Sequence, residues 1–476
     1  MTRTVIVIGA GPAGLAAGAA AAQAGARVIM LDAARRAGGQ FWRHPDPRLS
    51  VDHSLQHGWR RFRQLQAVLD DNPDARLITE AQVWAIDHDR HGTPVVEVAV
   101  GPIDGPGRTM QQVRGDALII ATGAHDLTLP FPGWDLPGVF TGGAAQTMAK
   151  AEGVAVGRRV LVAGSGPFLL PVATSVASTG AEVIGVYEAS SVRTTASSWL
   201  PQAPWLAGKL PELAGYLAGL ARHKINYRSG RAVIAAHGDG RLERVTVARI
   251  DRDWRPVAGT ERDLSCDALC ISHGFTPRLE LAIAAGCEIT PDRFVAVDVG
   301  QRTTVPSVFA AGESTGIGGA DLALAEGRIA GHLAAGGNLT DTELRRPLLT
   351  RRRLRHLTVA LAAAHRIGSG WTDWLRPDTL ICRCEEVTCH RLRTTIADTD
   401  TRGLRSLKLS SRVGLGPCQG RICGPAVELI MADHAPGLDG VRLDRRPVAV
   451  PIRLRELAER TSQAQQEPHL PGGHHP

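Results

Sequence analysis

Of 476 residues only four are lysine and 4% are aromatic, and no Cys-x-x-Cys pair occurs anywhere in the chain. Each shortage excludes something. A nucleic-acid surface interleaves basic side chains with stacking rings, and the densest basic run here, Arg345 to Arg355, has no aromatic inside it. That run reads as the solvated face of a linker, with a partner-docking surface as the alternative. The formal charge is a mild +7, from 54 basic against 47 acidic residues, so no nucleic-acid partner is expected. Eight cysteines, unevenly spaced over so long a chain, do not make a disulfide framework. Long apolar runs are also missing, with one exception. Thr4 to Gly25 carries no charge and reaches the ~20 residues that cross a bilayer. Five glycines, a proline and a glutamine inside it point to a different origin, taken up below. The chain is expected to lack a transmembrane segment and to be cytoplasmic.

What is present suits a globular protein. With 43% hydrophobic and 21% charged residues there is apolar material for sizeable cores. At roughly 150 residues per domain, the length predicts two or three domains. Residues 5 to 14 read VIVIGAGPAG, a β-branched run fit for a buried parallel strand, then Gly9, Gly11 and Gly14 in GxGxxG spacing. An Ala-rich helix opening at Pro12 and Ala13, a stop at Gly25, a second apolar strand from Arg27 to Leu31, and Asp32 complete a dinucleotide-binding unit. Gly9 permits the tight turn. Gly11 lets backbone N–H groups approach a pyrophosphate, Gly14 lets helix and strand pack closely, and Asp32 accepts ribose hydroxyls.

Residues 160 to 188 repeat the pattern. At an offset of 155, Gly9, Gly11 and Gly25 fall on Gly164, Gly166 and Gly180, which is an internal duplication. The third glycine has become Leu169, which is expected to push the helix off its strand, and the acid Glu188 lies one position beyond the counterpart of Asp32. Weak or no NAD(P) binding is predicted there.

Two further segments belong to the first unit: ALIIATGA at 117 to 124, with Ala121, Thr122 and Gly123, and VPSVFAAGE at 305 to 313, with Gly312 and Glu313. Together these resemble the two-dinucleotide flavoproteins of the glutathione-reductase type, in which the second nucleotide domain is inserted within the first. The resemblance implies FAD in the first unit, with Gly312 and Glu313 beside its ribityl chain and pyrophosphate. It implies that Gly38, Gly39, Gln40 and Arg43 form a flavin-side loop. The run TGIGGADLALAEGRIAG then supplies an amphipathic helix whose N-terminus lies near the flavin. A disulfide reductase of this type needs Cys-x-x-Cys against the flavin, so that chemistry is excluded. Cys266, Cys270 and Cys287 sit in apolar contexts and read as structural. His125 and His273 are candidates to face the flavin, with a structural role as the alternative. No acid-base pair is forced by the sequence, and catalytic residues stay unassigned.

Five cysteines cluster near the C-terminus. Cys382-x-Cys384 and Cys418-x4-Cys423 are separated by 33 residues, and four thiolates suit tetrahedral zinc or an iron-sulfur cluster. Cys-x-Cys is tighter than the usual zinc knuckle, and the glycine-rich GLGPCQGRICG exposes N–H groups of the kind bridging sulfides need, which favours 2Fe-2S. Cys389 reads as a spectator. Residues 378 to 436 resemble the bacterioferritin-associated-ferredoxin-like 2Fe-2S domain.

A chain with these parts resembles the larger, FAD- and iron-sulfur-containing subunit of the hydrogen cyanide synthase, opine oxidase and hydroxyproline dehydrogenase group. The fold class implied is α/β, a two-dinucleotide-binding-domain (glutathione-reductase-like) flavoprotein with a small C-terminal helical iron-sulfur domain. The expected division is 1–150 and 276–340 for the FAD-binding domain, 151–275 for the inserted NAD(P)-binding-like domain, 341–377 for a linker, 378–436 for the 2Fe-2S domain and 437–476 for a C-terminal extension with a disordered tail. In that group a second flavoprotein subunit, of the D-amino-acid-oxidase type, oxidises the C–N bond of an amine, and a small ferredoxin-like subunit is a further possible partner. This chain is then expected to carry electrons. A self-contained NAD(P)H-dependent reductase with iron-sulfur output, and a non-catalytic iron or copper delivery module, are the alternatives.

Overall fold

The structure is a computed structural model that describes residues 2–45, 56–103, 105–199, 210–399, 401, 403–434, 446 and 448–458. Most of the 437–476 extension, its tail expected to be disordered, lies outside the described residues.

The first strand, β1 (Thr4–Ile8), is buried on both faces: Val5 and Val7 enter one core, Ile6 and Ile8 another. A strand without polar positions has no face to offer to water, so it must lie inside a sheet covered on both sides. The helix α1 (Pro12–Gln23) follows, Gly25 at φ +82° stops it, and β2 (Arg27–Leu31) returns parallel to β1. Outward from β1 and β2 the all-parallel sheet runs to Ala117–Ile120 and Val308–Ala310 on one side and Ala75–Ile78 on the other. Helices α1, Trp59–Asp70 and Gly319–Ala334 cover one face. An antiparallel meander of Ala81–His88, Pro94–Val100 and Thr109–Arg114 covers the other.

A second parallel sheet has the same plan, with strands Tyr227–Ser229, Glu182–Glu188, Arg159–Gly164, Ala268–Ser272 and Val139–Thr141 in that order. Val160 and Val162 pack under helix Leu169–Ala177, while Leu161 and Ala163 face a second meander, Arg231–His237, Arg244–Arg249 and Arg262–Ser265. Sheet, helix and meander each occur twice, so the duplication is architectural as well as sequential. The chain enters and leaves the second sheet through two short antiparallel strands, Ala124–Asp126 and Phe275–Pro277, and only afterwards adds Val308–Ala310 to the first sheet. The protein is an α/β chain with two dinucleotide-binding sheets.

The 341–377 stretch, expected as a linker, contains helix Arg345–Ala364 and a tight turn at Ser369–Trp374. Its charge conceals a narrow packing stripe of Leu357, Ala360 and Ala364. Trp371 and Trp374 are almost wholly buried in one core with Trp134 and Trp254. The C-terminal hairpin Leu380–Cys382 and Val387–Thr388, with helices Cys389–Thr399, Leu404–Ser411 and Gly424–His434, joins that core through Ile381, Leu392, Leu407, Val427 and Met431. Trp134 Nε1 donates to the Leu380 carbonyl at 2.7 Å, tying the core beside the second sheet to the cysteine-bearing hairpin. Among the described residues no helix is long and apolar enough to cross a membrane.

Candidate cofactor sites

The first glycine turn is assembled by backbone contacts that side chains would forbid. A Cβ on Gly9 would stand 2.3 Å from the Ala121 carbonyl oxygen, one on Gly39 would stand 2.7 Å from Gly11 Cα, and one on Gly312 would stand 2.8 Å from Ala13 Cβ. These contacts bring the turn, the Gly38–Arg43 loop, the crossover strand and the closing strand together at one end of the sheet. Gly14 takes the role expected of it: a Cβ there would lie 1.7 Å from the Gly9 carbonyl oxygen, so helix and turn touch through backbone. The helix α1 starts at Pro12 with no side-chain cap at Gly11 and no acid in its first turn. Its uncapped N–H groups and dipole form an anion site, open to a pyrophosphate. Asp32 accepts from Ala10 N at 2.5 Å and from Ala34 N at 2.7 Å, which leaves lone pairs on each oxygen for hydroxyl donors. Burial raises its carboxyl above the ordinary range, and the two N–H bonds work against that rise.

The neighbouring candidates are placed as follows. Thr122 Oγ1 donates to the Arg278 carbonyl at 2.8 Å and Arg278 N to the Gly123 carbonyl at 2.9 Å, so the crossover turn is clamped to the returning strand. Arg43 donates to both Gln40 and Thr147. Glu313 accepts from Gly319 N at 2.9 Å, and a second acid, Glu326, accepts from Gly312 N at 3.0 Å. The Gly319–Ala334 helix, expected to be amphipathic, is buried around most of its circumference because it is wedged between α1 and helix Arg345–Ala364. Its Gly327 and Gly331 touch α1 backbone: Cβ atoms there would lie 2.1 Å from Ala13 O and 2.0 Å from Ala17 O. The four-residue spacing of these glycines is the signal of that contact in the sequence.

The second glycine turn is closed by the chain itself. Glu188 accepts from Gly166 N at 2.9 Å and Ser190 N at 2.8 Å. His365, at the end of the arginine-rich helix, reaches over it: Nδ1 lies 3.1 Å from Ser190 Oγ and 3.7 Å from Glu188, and Cγ lies 4.0 Å from where a Gly166 Cβ would be. Leu169 is 1% exposed among Val160 and Val162, and the helix begins at Leu169, whereas α1 begins directly after Gly11. The helix nonetheless packs on its strand, with Leu169 buried beside Val160 and Val162, so the lost glycine is seen in where the helix starts.

The four C-terminal cysteines meet in two thiol pairs, Cys382 with Cys423 and Cys384 with Cys418. Among the described residues no three or more His, Cys, Asp or Glu side chains are gathered as a ready metal site. The Cys423 thiol and the N–H groups of Gly414, Glu385 and Cys384 hold Cys382 down to about 6, while burial opposes them. Gly416 is pressed against Cys384; a Cβ would fall 2.2 Å from the cysteine's own. A thiolate held by several N–H donors is the donor set that sulfur-ligated groups need. Cys389 is 1% exposed in the core, and Cys266 and Cys270 are buried with thiols pushed up to about 11 and about 12 by desolvation.

Neither histidine candidate makes a contact that singles it out for acid-base work. His125 Nε2 lies 3.0 Å from the Arg421 carbonyl, and burial lowers its affinity for a proton. His273 is buried against Trp254 and burial pushes it down to about 4. A residue the sequence did not flag is Lys150, 5% exposed, its ammonium 6.0 Å over the Phe41 ring and next to Arg43; desolvation pushes it down to about 8.

Two dinucleotide sheets with one open glycine turn define the class, a two-dinucleotide-binding-domain oxidoreductase. The chain belongs to the pyridine nucleotide-disulphide oxidoreductase family, whose pattern matches residues 3–327, and it is an FAD-dependent oxidoreductase. It is 31% identical over 438 residues to hydrogen cyanide synthase subunit HcnB of Pseudomonas protegens, covering 89% of this chain and 90% of that one. It is 32% identical over 482 residues to an opine oxidase subunit of Agrobacterium tumefaciens, covering 95% and 91% respectively. Among solved structures, L-proline dehydrogenase from P. horikoshii superposes with a TM-score of 0.64 at 19% identity, over 96% of this chain and 79% of that one, a likeness of fold.

Proposed function

We propose that this chain is the electron-transferring subunit of a heteromeric dehydrogenase or oxidase acting on the C–N bond of an amino acid, hydroxyproline, opine or similar secondary amine, and that it works in the cytoplasm. In this reading FAD lies on Gly9, Gly11, Pro12, Ala13, Gly14, Asp32, Gly39, Gln40, Ala121, Thr122, Gly123, Gly312 and Glu313. A 2Fe-2S cluster is held by Cys382, Cys384, Cys418 and Cys423. The proposed units are residues 1–150 with 276–340, residues 151–275 and residues 378–436. When bound, FAD takes two electrons at once and releases them singly, and a 2Fe-2S cluster carries one.

The protein's own groups have distinct tasks. The uncapped start of α1 holds the pyrophosphate, Asp32 accepts ribose hydroxyls, and the close approaches of Gly9 to Ala121, Gly39 to Gly11 and Gly312 to Ala13 leave no room for side chains at these glycines. The N–H groups aimed at Cys382 stabilise ligand sulfur. Glu188 and His365 fill the mouth of the second turn, so NAD(P)H does not enter there.

The observation that carries the reading is the contrast between the two turns, on a chain that also brings four cysteines together in two pairs: the first is open, the second is closed by its own side chains. Support for a partner comes from the relatives, which are named as subunits. The test is dye-reduction assay with hydroxyproline, opines, sarcosine, proline and glycine, using the purified chain alone and coexpressed with a second flavoprotein of the amine-oxidising type. The chain alone is expected to be yellow-brown and nearly inactive, with activity appearing in the complex. Turnover by the isolated chain at the rate of the complex would place the substrate site here and refute the division of labour.

A further inference from the structure

The three-residue strand Ala124–Asp126 presents successive side chains to opposite sides, as strand geometry requires. Asp126 accepts from Gly143 N at 3.0 Å and lies beside Arg43, which holds Gln40 of the flavin-side loop. His125 points the other way, with Nε2 3.0 Å from the carbonyl oxygen of Arg421, midway between Cys418 and Cys423. A carbonyl only accepts, so Nε2 carries the proton.

Both ends of this contact are held. The strand pairs antiparallel with Phe275–Pro277, His125 opposite Thr276, directly after the crossover turn clamped by Arg278. On the cysteine side Arg421 pairs with Glu280 and donates to the Ala449 carbonyl at 2.6 Å. Arg293 pairs with Glu428, and Arg446 donates to the Gln419 carbonyl. The seam keeps a recess of only about 30 Å³, the room of one water. From Gly123 the route to Cys423 runs through covalent bonds, one hydrogen bond and covalent bonds again.

We propose that His125 is a positioning residue for electron transfer, tying the Cys418–Cys423 loop to the crossover turn Ala121–Gly123 and thereby setting the gap that electrons cross between the flavin-bearing unit and the cluster. The proposal rests on the reading of FAD in the first unit and 2Fe-2S on the four cysteines. With both groups bound, each crossing would move one electron from the reduced flavin to the cluster; two crossings would empty a flavin that had received two electrons and a proton from the amine-oxidising partner subunit, the proton would pass to water, and a one-electron acceptor would relieve the cluster. Electrons tunnel less readily through a void than along bonds, so loosening this contact slows every crossing.

The test compares His125→Ala and His125→Gln in the full chain, with the flavin reduced anaerobically by a light flash using EDTA as donor. Reduction of the cluster is followed at its visible band, and amide exchange is read over residues 418–424. Losing a hydrogen bond of about 1 kcal/mol raises the opening constant of the loop roughly fivefold, so the Ala variant is expected to exchange about fivefold faster over residues 418–424 and to transfer electrons more slowly than wild type. The Gln amide donates to the same carbonyl and is expected to restore both. Equal rates in wild type and Ala variant, at full iron, sulfide and flavin content, overturn the proposal alone. Wild-type protein without iron and sulfide overturns the cluster reading and the proposal with it. Should the Ala variant lose its cluster, a cluster-bearing Gln variant that transfers more slowly than wild type counts against the proposal, and one at the wild-type rate supports it.

Discussion

At Gly11 and Gly14, two residues of one motif are separated by what surrounds them. A Cβ on Gly11 meets only Gly39 Cα at 3.8 Å, ordinary contact, whereas one on Gly14 would be 1.7 Å from a backbone oxygen. Gly11→Ala is therefore expected to lose flavin, since the methyl stands where the pyrophosphate approaches, and to melt close to flavin-free wild type. Gly14→Ala is expected to lose at least ~3 kcal/mol, because backbone rather than a flexible side chain must move. Flavin absorbance and thermal melting of the two variants check both halves. Lys150 supplies a prediction in pH. Its drop from 10.5 to about 8, at about 1.4 kcal/mol per pH unit, makes the charged form about 3 kcal/mol less stable in the fold than in the unfolded chain. The folded value lies below the unfolded one, so the penalty is complete below about pH 8 and fades as pH rises toward 10.5. Lys150→Met in flavin-free protein should be about 3 kcal/mol more stable than wild type at pH 7 and less than about 1 kcal/mol more stable at pH 10, as read by urea unfolding at both pH values. The glycines and Asp32 were legible because one local turn fixes their spacing. Lys150, His125 and His365 were not, because what they touch is brought in by tertiary folding: the Arg421 carbonyl lies 296 positions from His125.

At the scale of elements, the arginine-rich helix is the departure from expectation, and Arg355 is the reason it is ordered. Its Nε donates to Glu326 Oε1 at 2.8 Å, and its Nη atoms to the Thr315 carbonyl at 2.6 Å and hydroxyl at 2.9 Å. Glu326 is fully buried in the closing helix and accepts from Gly312 N. The pair thus bolts the arginine helix to the loop beside the first glycine turn. Arg355→Met leaves that carboxylate without its main partner and is expected to cost about 3 kcal/mol, which chemical denaturation measures. Arg355→Lys should recover little, because an ammonium cannot reach carboxylate, carbonyl and hydroxyl together as the planar fork does. Strands such as Thr4–Ile8, Arg27–Leu31 and Ala117–Ile120 were legible as apolar runs, whereas the edge strands Ala75–Ile78 and Tyr227–Ser229, which carry arginine, were not. The helix Arg345–Ala364 was hidden because its buried stripe is narrow and its inward-reaching arginines count as surface residues in any composition.

Across the whole molecule, one plan is used twice with opposite outcomes. Micromolar NADH added anaerobically is expected to leave the flavin spectrum unchanged, since Glu188 and His365 occupy the second turn; rapid bleaching would show that they yield. Duplication and two sheets were legible from paired motifs, and the insertion from the family resemblance of the crossover and closing segments. The sharing of one core by the second unit, the tryptophan turn and the cysteine-bearing helices was not, because Trp134, Trp254, Trp371 and Trp374 lie far apart in sequence and only folding collects them. The order in which the chain builds its sheets also bears on how the protein is made. The second sheet is complete once Ala268–Ser272 has emerged, but the first must wait for Val308–Ala310, and α1 for the glycine face of Gly319–Ala334. At ribosomal speeds of about 5–20 residues per second, the N-terminal half-sheet waits on the order of ten seconds or more between its fourth strand and its last. The unit that begins first is finished second, and flavin has no complete cradle to enter until the nascent chain has passed the closing helix.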